Sequence, residues 1–188
     1  MHENDNIDPG ATPDILIRRI ESADIPAVHD LIESAYRGES ARSSWVHEGP
    51  MAEGKRIERS ALIALCNGAT DVMLVATRHG DVIGCVCVSD RGSGIAELGL
   101  LAVSPNQQTD GLGKRLVEAA ETEGQYRFQA VAMQLSVVAQ RPKLLHYYER
   151  RGYVLTGEIS PYPVPLEPPL HFAVMRKTLG TSSHRHPL

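Results

Sequence analysis

The segment Leu101-Ala-Val-Ser-Pro-Asn-Gln-Gln-Thr-Asp-Gly-Leu-Gly-Lys-Arg-Leu-Val117 decides the fold. An apolar run from Leu98 to Val103 passes into a polar turn, and the turn passes into a run with Leu112, Leu116 and Val117 on one side. This pattern predicts a strand, a loop and a helix. Gly111 and Gly113 remove two side chains where the backbone must approach something closely. The first amides of a helix lack intrahelical partners and sit at its positive end. The turn is therefore an anion cradle suited to a pyrophosphate, with Lys114 and Arg115 adding charge beside it.

Two common phosphate loops are excluded. A P-loop needs GxxxxGK[ST], but Gln108 and Arg115 occupy its first and last defining positions. A dinucleotide fingerprint needs GxGxxG, and Leu116 stands at its third glycine. The strands before the turn also read as a hairpin, Val72–Thr77 and Val82–Ser89 around His79-Gly80-Asp81, not as a βαβ unit. A coenzyme A loop fits.

Outward from this turn, strands are expected at Ile15–Ile20, Ile95–Val103, Ala130–Ala139, Tyr153–Glu158 and His171–Lys177. Helices are expected from an Asp24 N-cap through Ala35, at 56–67, at Gly111–Glu123 and at Pro142–Arg151. Ile95–Val103 carries Gly99, a site for a bulge that would splay the sheet. The order β-α-α-β-β-β-α-β-α-β-β defines a single α/β or α+β domain with a mixed sheet. Residues 1–13 and 179–188 read as flexible tails around a domain over 14–178. Segment 37–55 is a long polar loop, and SPYPVPLEPPL, with five prolines in eleven residues, is a stiffened surface loop and not a strand.

At 188 residues the chain is long enough for one self-sufficient core. Nineteen basic against 23 acidic residues give a net charge of −4, which argues against a nucleic-acid partner. The longest apolar run is too short to span a bilayer, so no membrane role is expected. Cys66, Cys85 and Cys87 have neither disulfide nor zinc spacing, and no metal is expected. A reducing, cytoplasmic setting is expected, with a monomer or homodimer.

A second motif lies about 35 residues beyond the first: Tyr147-Tyr148-Glu149-Arg150-Arg151-Gly152-Tyr153. Together with Gln108-x-x-Gly111-x-Gly113 it resembles the Gcn5-related N-acetyltransferase (GNAT) superfamily over about residues 14–178. The resemblance implies a mostly antiparallel mixed sheet of about seven strands, splayed at the acetyl-CoA site and flanked by four helices. It implies acetyl-CoA as co-substrate, with its pyrophosphate held by amides from Thr109, Asp110, Gly111, Leu112, Gly113 and Lys114 beside Gln108. It implies that Leu101, Ala102 and Val103 pair with the pantetheine arm. Arg141 and Leu144 stand where many members carry Asn and Ala, and Arg141 has the reach to contact a phosphate or an acceptor carboxylate.

Transfer of an acetyl group to an amine needs a base for the ammonium proton, donors for the carbonyl oxygen and an acid for the departing thiolate. Glu97, on the strand leading to the phosphate loop, is the candidate base; a solvent-facing rim glutamate is the bland alternative. A backbone amide near Leu101 is the candidate donor. The resemblance places Tyr148 near the donor sulfur as the acid, with Tyr147 its competitor about 100° around the helix. Trp45, His47 and Arg56 are candidate acceptor-binding residues, against readings of core packing for Trp45 and an idle loop for His47. Arg37, Arg42 and Arg56 suit an acceptor carboxylate, whereas Glu39, Glu48 and Glu53 suit a cationic amine. The expected function is acetyl transfer to a primary amine of a small molecule. The alternatives are an acetyl-CoA-binding sensor or assembly module and a protein-lysine acetyltransferase.

Overall fold

A computed structural model describes residues 15–37, 56–105, 111–162 and 167–180. The elements are β1 (Leu16–Arg19), α1 (Ile25–Arg37), α2 (Arg59–Asn67), β2 (Asp71–Arg78), β3 (Asp81–Asp90), β4 (Ile95–Val103), α3 (Leu112–Phe128), β5 (Ala132–Val138), α4 (Pro142–Glu149), β6 (Val154–Pro161) and β7 (His171–Thr178). They follow the expected order. The seven strands form one open sheet, β1-β2-β3-β4-β5-β7-β6, antiparallel except where β4 meets β5. Among the described residues, no helix is long and apolar enough to cross a membrane.

The central strands are buried on both faces, so their side chains divide between two cores. Met73, Val75, Cys85 and Cys87 pack with Val28, Ile32, Ala35 and Leu62 beneath α1 and α2. Leu74, Ala76, Val86 and Val88 face the other way, onto Leu112, Leu116 and Val117 of α3. Cys85 and Cys87 are thus two core residues on one strand face, as their spacing predicts.

Three local expectations need correction. Asp24 is not an N-cap: a 3-10 turn, Ser22–Asp24, precedes α1, and the Asp24 carboxylate accepts from the Glu21 amide and from both terminal nitrogens of Arg18. Helix α3 runs five residues past Glu123, through Gly124. Ser160 and Pro161 extend β6 into the proline-rich segment, where Pro needs no ladder bond because β6 is an edge strand. Residues 1–14 and 181–188, most of the two expected tails, lie outside the described residues. Leu179 is buried, and its amide donates to the Val131 carbonyl, so the packed structure extends at least to that residue.

The bulge in β4 positions the site. Cys87 pairs with Gly99 and Cys85 with Ala102, so Val86 alone stands opposite both Leu100 and Leu101. The bulge lies one residue beyond the glycine expected to form it. It also reverses which side chains face which core. Ala96 and Leu98 face α3 before it, whereas Leu101 and Val103 do so after it and Ala102 faces α1. The sheet parts from Leu98 on, just before the bulge, because β4 pairs with β5 only over Ile95–Glu97 against Ala132–Gln134.

Candidate active site

Where β4 and β5 part, a cleft opens. Among the described residues its lining includes Tyr36, Arg56, Glu97, Leu101, Arg141 and Tyr148. Residues from both cores meet here: Tyr36 belongs to the α1–α2 side and Tyr148 to the α3 side. The gap in the sheet thus joins its two faces. The cleft encloses about 190 Å³, less than the roughly 300–1,000 Å³ of a pocket for a drug-sized ligand. It has room for the reacting ends of two substrates, not for either one whole if large.

Glu97 sits on the last residue pair of the parallel seam, opposite Gln134. Its Oε2 accepts from Arg91 Nε at 2.7 Å, which fixes the carboxylate at the cleft. Glu97 thus lines the cleft with its carboxylate paired to Arg91. Tyr148 is 5% exposed. Helix α4 carries it inward from Pro142 at its start, and the chain turns away at Gly152, where φ is +87°. Burial holds the Tyr148 hydroxyl well above the usual tyrosine range, and the nearby Tyr36 and Tyr147 add to the rise. Tyr147 is held differently. Arg151 lies 3.4 Å over its ring and donates to its carbonyl, and Tyr147 does not line the cleft.

Leu101 reaches the cleft, while Ala102 and Val103 continue β4 behind it as buried residues. Leu100 adopts a left-handed φ of +46°. A non-glycine residue in that region costs about 1–3 kcal/mol and persists only where neighbours hold it. Arg141 enters the cleft from the N-cap of α4. Arg56 stacks 4.9 Å over the Tyr36 ring, and its amide donates to Glu33 Oε1 at 2.7 Å, so α1 seats it. Trp45, His47, Arg42, Glu39, Glu48 and Glu53 lie outside the described residues, as do Gln108, Thr109 and Asp110.

The described end of the phosphate turn fits an anion cradle. Gly111 is the N-cap of α3 at φ +69°, offers no side-chain cap, and among the described residues has nothing within 4 Å of the place a Cβ would occupy. The Lys114 amide, however, donates to the Gly111 carbonyl at 3.0 Å. It is spent within the helix, and Lys114 can contribute only its charge, with Glu118 3.7 Å away. Leu112 is 1% exposed, so its side chain belongs to the core and only its backbone faces the turn. Arg115 is drawn off to the Ile15 carbonyl.

Sequence reasoning missed Tyr36, Arg91, Ser136 and Phe172. Tyr36 alone left a signal: it continues the α1 stripe of Val28, Leu31, Ile32 and Ala35 into the polar loop. It is half of a contact across 65 residues, since its hydroxyl donates to the Leu101 carbonyl at 3.0 Å.

A family model described as the acetyltransferase (GNAT) family matches residues 27–153. The chain belongs to that family and is an acetyl-CoA-dependent N-acetyltransferase. No curated protein matches it in sequence. Solved structures share its fold. The ribosomal-protein-S18-alanine N-acetyltransferase of Escherichia coli is 18% identical with a TM-score of 0.69, over 93% of this chain and 100% of that one. The yncA protein of Salmonella typhimurium, solved with its cofactor acetyl-CoA, is 20% identical with a TM-score of 0.68, over 93% and 98%. The spermidine/spermine N-acetyltransferase SpeG of Vibrio cholerae is 17% identical with a TM-score of 0.64, over 88% and 92%.

Proposed function

We propose that this protein acetylates a primary amine of a small molecule by direct transfer in a ternary complex. One observation carries the reading: a carboxylate, Glu97 of β4, and a buried phenol, Tyr148 of α4, line one small cleft at the parting of the sheet. Acetyl-CoA supplies an activated acyl thioester. Gly111, Leu112 and Gly113 would hold its pyrophosphate by their amides, and the β4 edge at Leu101–Val103 would align its arm. Glu97 takes a proton from the acceptor ammonium. A bulge amide donates to the carbonyl oxygen, and the Tyr148 hydroxyl gives its proton to the departing sulfur.

Cysteine chemistry favours direct transfer. Cys85 is fully buried, and burial pushes its thiol up to about 12, so it is a poor nucleophile at neutral pH although it lies against the bulge. The three free cysteines suit a cytoplasmic setting.

The test is a panel of small amines with acetyl-CoA, following thiol release, for the wild type and Glu97→Gln. The variant should lose about 10²–10⁴-fold in turnover. The loss should shrink as pH rises and more of the amine is already neutral. Thiol release that depends on an amine but survives Glu97→Gln at neutral pH would remove Glu97 as the base. Acetyl-CoA binding with no amine-dependent release across the panel would favour a binding module.

A further inference from the structure

The β4 bulge is held by two side chains that the chemistry above does not use. The Tyr36 hydroxyl, from α1, donates to the Leu101 carbonyl at 3.0 Å. The Cys85 thiol, from β3, donates to the Leu100 carbonyl at 3.6 Å. Both carbonyls belong to residues that the bulge takes out of register with β3, so each needs a partner from elsewhere. Burial keeps Cys85 protonated and therefore able to donate. Leu100, at φ +46°, is the residue that most needs such restraint.

Leu101 lies between the two held carbonyls. Its N–H shares a planar trans peptide with the Leu100 carbonyl, and its own carbonyl is bound by Tyr36. The Leu100 carbonyl is taken up by the Cys85 thiol, and the Leu101 N–H, trans to it across the same peptide, points away from that thiol.

We propose that Tyr36 is a positioning residue for acetyl transfer, its hydroxyl fixing the Leu101 peptide so that the bulge presents its amide to the cleft. Only the kinetic readout of this inference rests on the proposed function. The aromatic ring is a separate matter: it packs in the α1–α2 core and lies beneath Arg56. Tyr36→Phe keeps that packing and removes the hydroxyl that binds the Leu101 carbonyl.

The experiment compares wild type and Tyr36→Phe in the full chain. It measures turnover at saturating acetyl-CoA with the best amine of the panel, KM for acetyl-CoA, melting temperature, and the Leu101 amide resonance with and without acetyl-CoA. Turnover should fall about 10–100-fold, the scale on which small misplacement of reacting groups is felt. KM for acetyl-CoA should stay within about threefold, because the ring and the phosphate turn are intact. The Leu101 amide should differ between the two proteins and should lose its wild-type response to acetyl-CoA. Turnover within about twofold of wild type would overturn the proposal. So would a parallel fall of turnover, acetyl-CoA affinity and melting temperature, which marks general loosening and not positioning. If the wild type acetylates no amine, the proposed function fails, and the amide resonance decides alone: an unchanged Leu101 signal in Tyr36→Phe overturns the positioning role.

Discussion

Tyr147 and Tyr148 differ by one position and occupy opposite environments. Arg151 covers the first and binds its carbonyl, whereas the second packs edge-on against Tyr147 and Tyr153 at 5.1 and 5.7 Å and lines the cleft. A helix turns about 100° per residue, so only one of the two can point inward. Tyr148→Phe should lower turnover by about 10–10³-fold, and Tyr147→Phe should be much milder. Acetyl-CoA affinity should change little in either, because the role proposed for the Tyr148 proton falls only at departure of the sulfur. The pH dependence follows from burial. Its hydroxyl ionises well above the ordinary tyrosine range, so it stays protonated through neutral and mildly alkaline conditions. The wild-type profile should therefore show no alkaline decline below about pH 10 that Tyr148→Phe removes. A steady-state profile of both variants with one amine checks this. A crippled Tyr147→Phe beside an active Tyr148→Phe would reverse the assignment.

At the scale of elements, what could be read from sequence was what is local. The end of β4 follows from the apolar run Leu98–Val103 giving way to Ser104-Pro105, and α4 follows from Pro142 and Gly152, which mark its ends chemically. The bulge could not be placed, because Leu98 to Val103 contains no polar residue whose alternation would betray a change of face. Tyr36 meets the bulge only through a contact across 65 residues, and Arg91 meets Glu97 only once the β3–β4 turn has formed. Helix α3 is a third case. The expected helix ends at Glu123, yet Gly124 lies inside the observed one, where α3 presses on the sheet. A Cβ there would stand 3.0 Å from Met133 Cε and 3.1 Å from Ala96 Cβ. The Met133 methyl can swing aside, but the Ala96 Cβ is fixed to the β4 backbone. Gly124→Ala gains roughly 1 kcal/mol of helix propensity and meets about 1–3 kcal/mol of overpacking. Overpacking should win, lowering the melting temperature by a few degrees. A higher melting temperature would show that α3 can lift off the sheet without cost.

In the whole molecule, the cleft marks a weak seam. Strands β1–β4 with α1–α3 form one half of the sheet, and β5–β7 with α4 extend it, but the two are joined in the ladder only by Ile95–Glu97 against Ala132–Gln134. Further ties cross elsewhere: Glu121 of α3 accepts from the Tyr153 hydroxyl at 3.0 Å and from Lys177 at 2.7 Å. Acetyl-CoA, held by the α3 turn and lying along β4 beside α4, would bind the folded chain and not the unfolded one. At a concentration a hundredfold above its dissociation constant it should stabilise the protein by about 2.7 kcal/mol. For a chain of this size that is a rise in melting temperature of roughly 5–10 °C. Gly111→Asp is the discriminating variant. The position is left-handed at φ +69°, where aspartate is among the better-tolerated side chains, and no described residue crowds it. The fold without acetyl-CoA should therefore lose only about 1 kcal/mol. The new carboxylate would meet the pyrophosphate directly, so the acetyl-CoA-dependent rise should disappear. A thermal scan of both proteins with and without acetyl-CoA reads the two effects separately. A rise that persists in Gly111→Asp would place the donor site away from the start of α3.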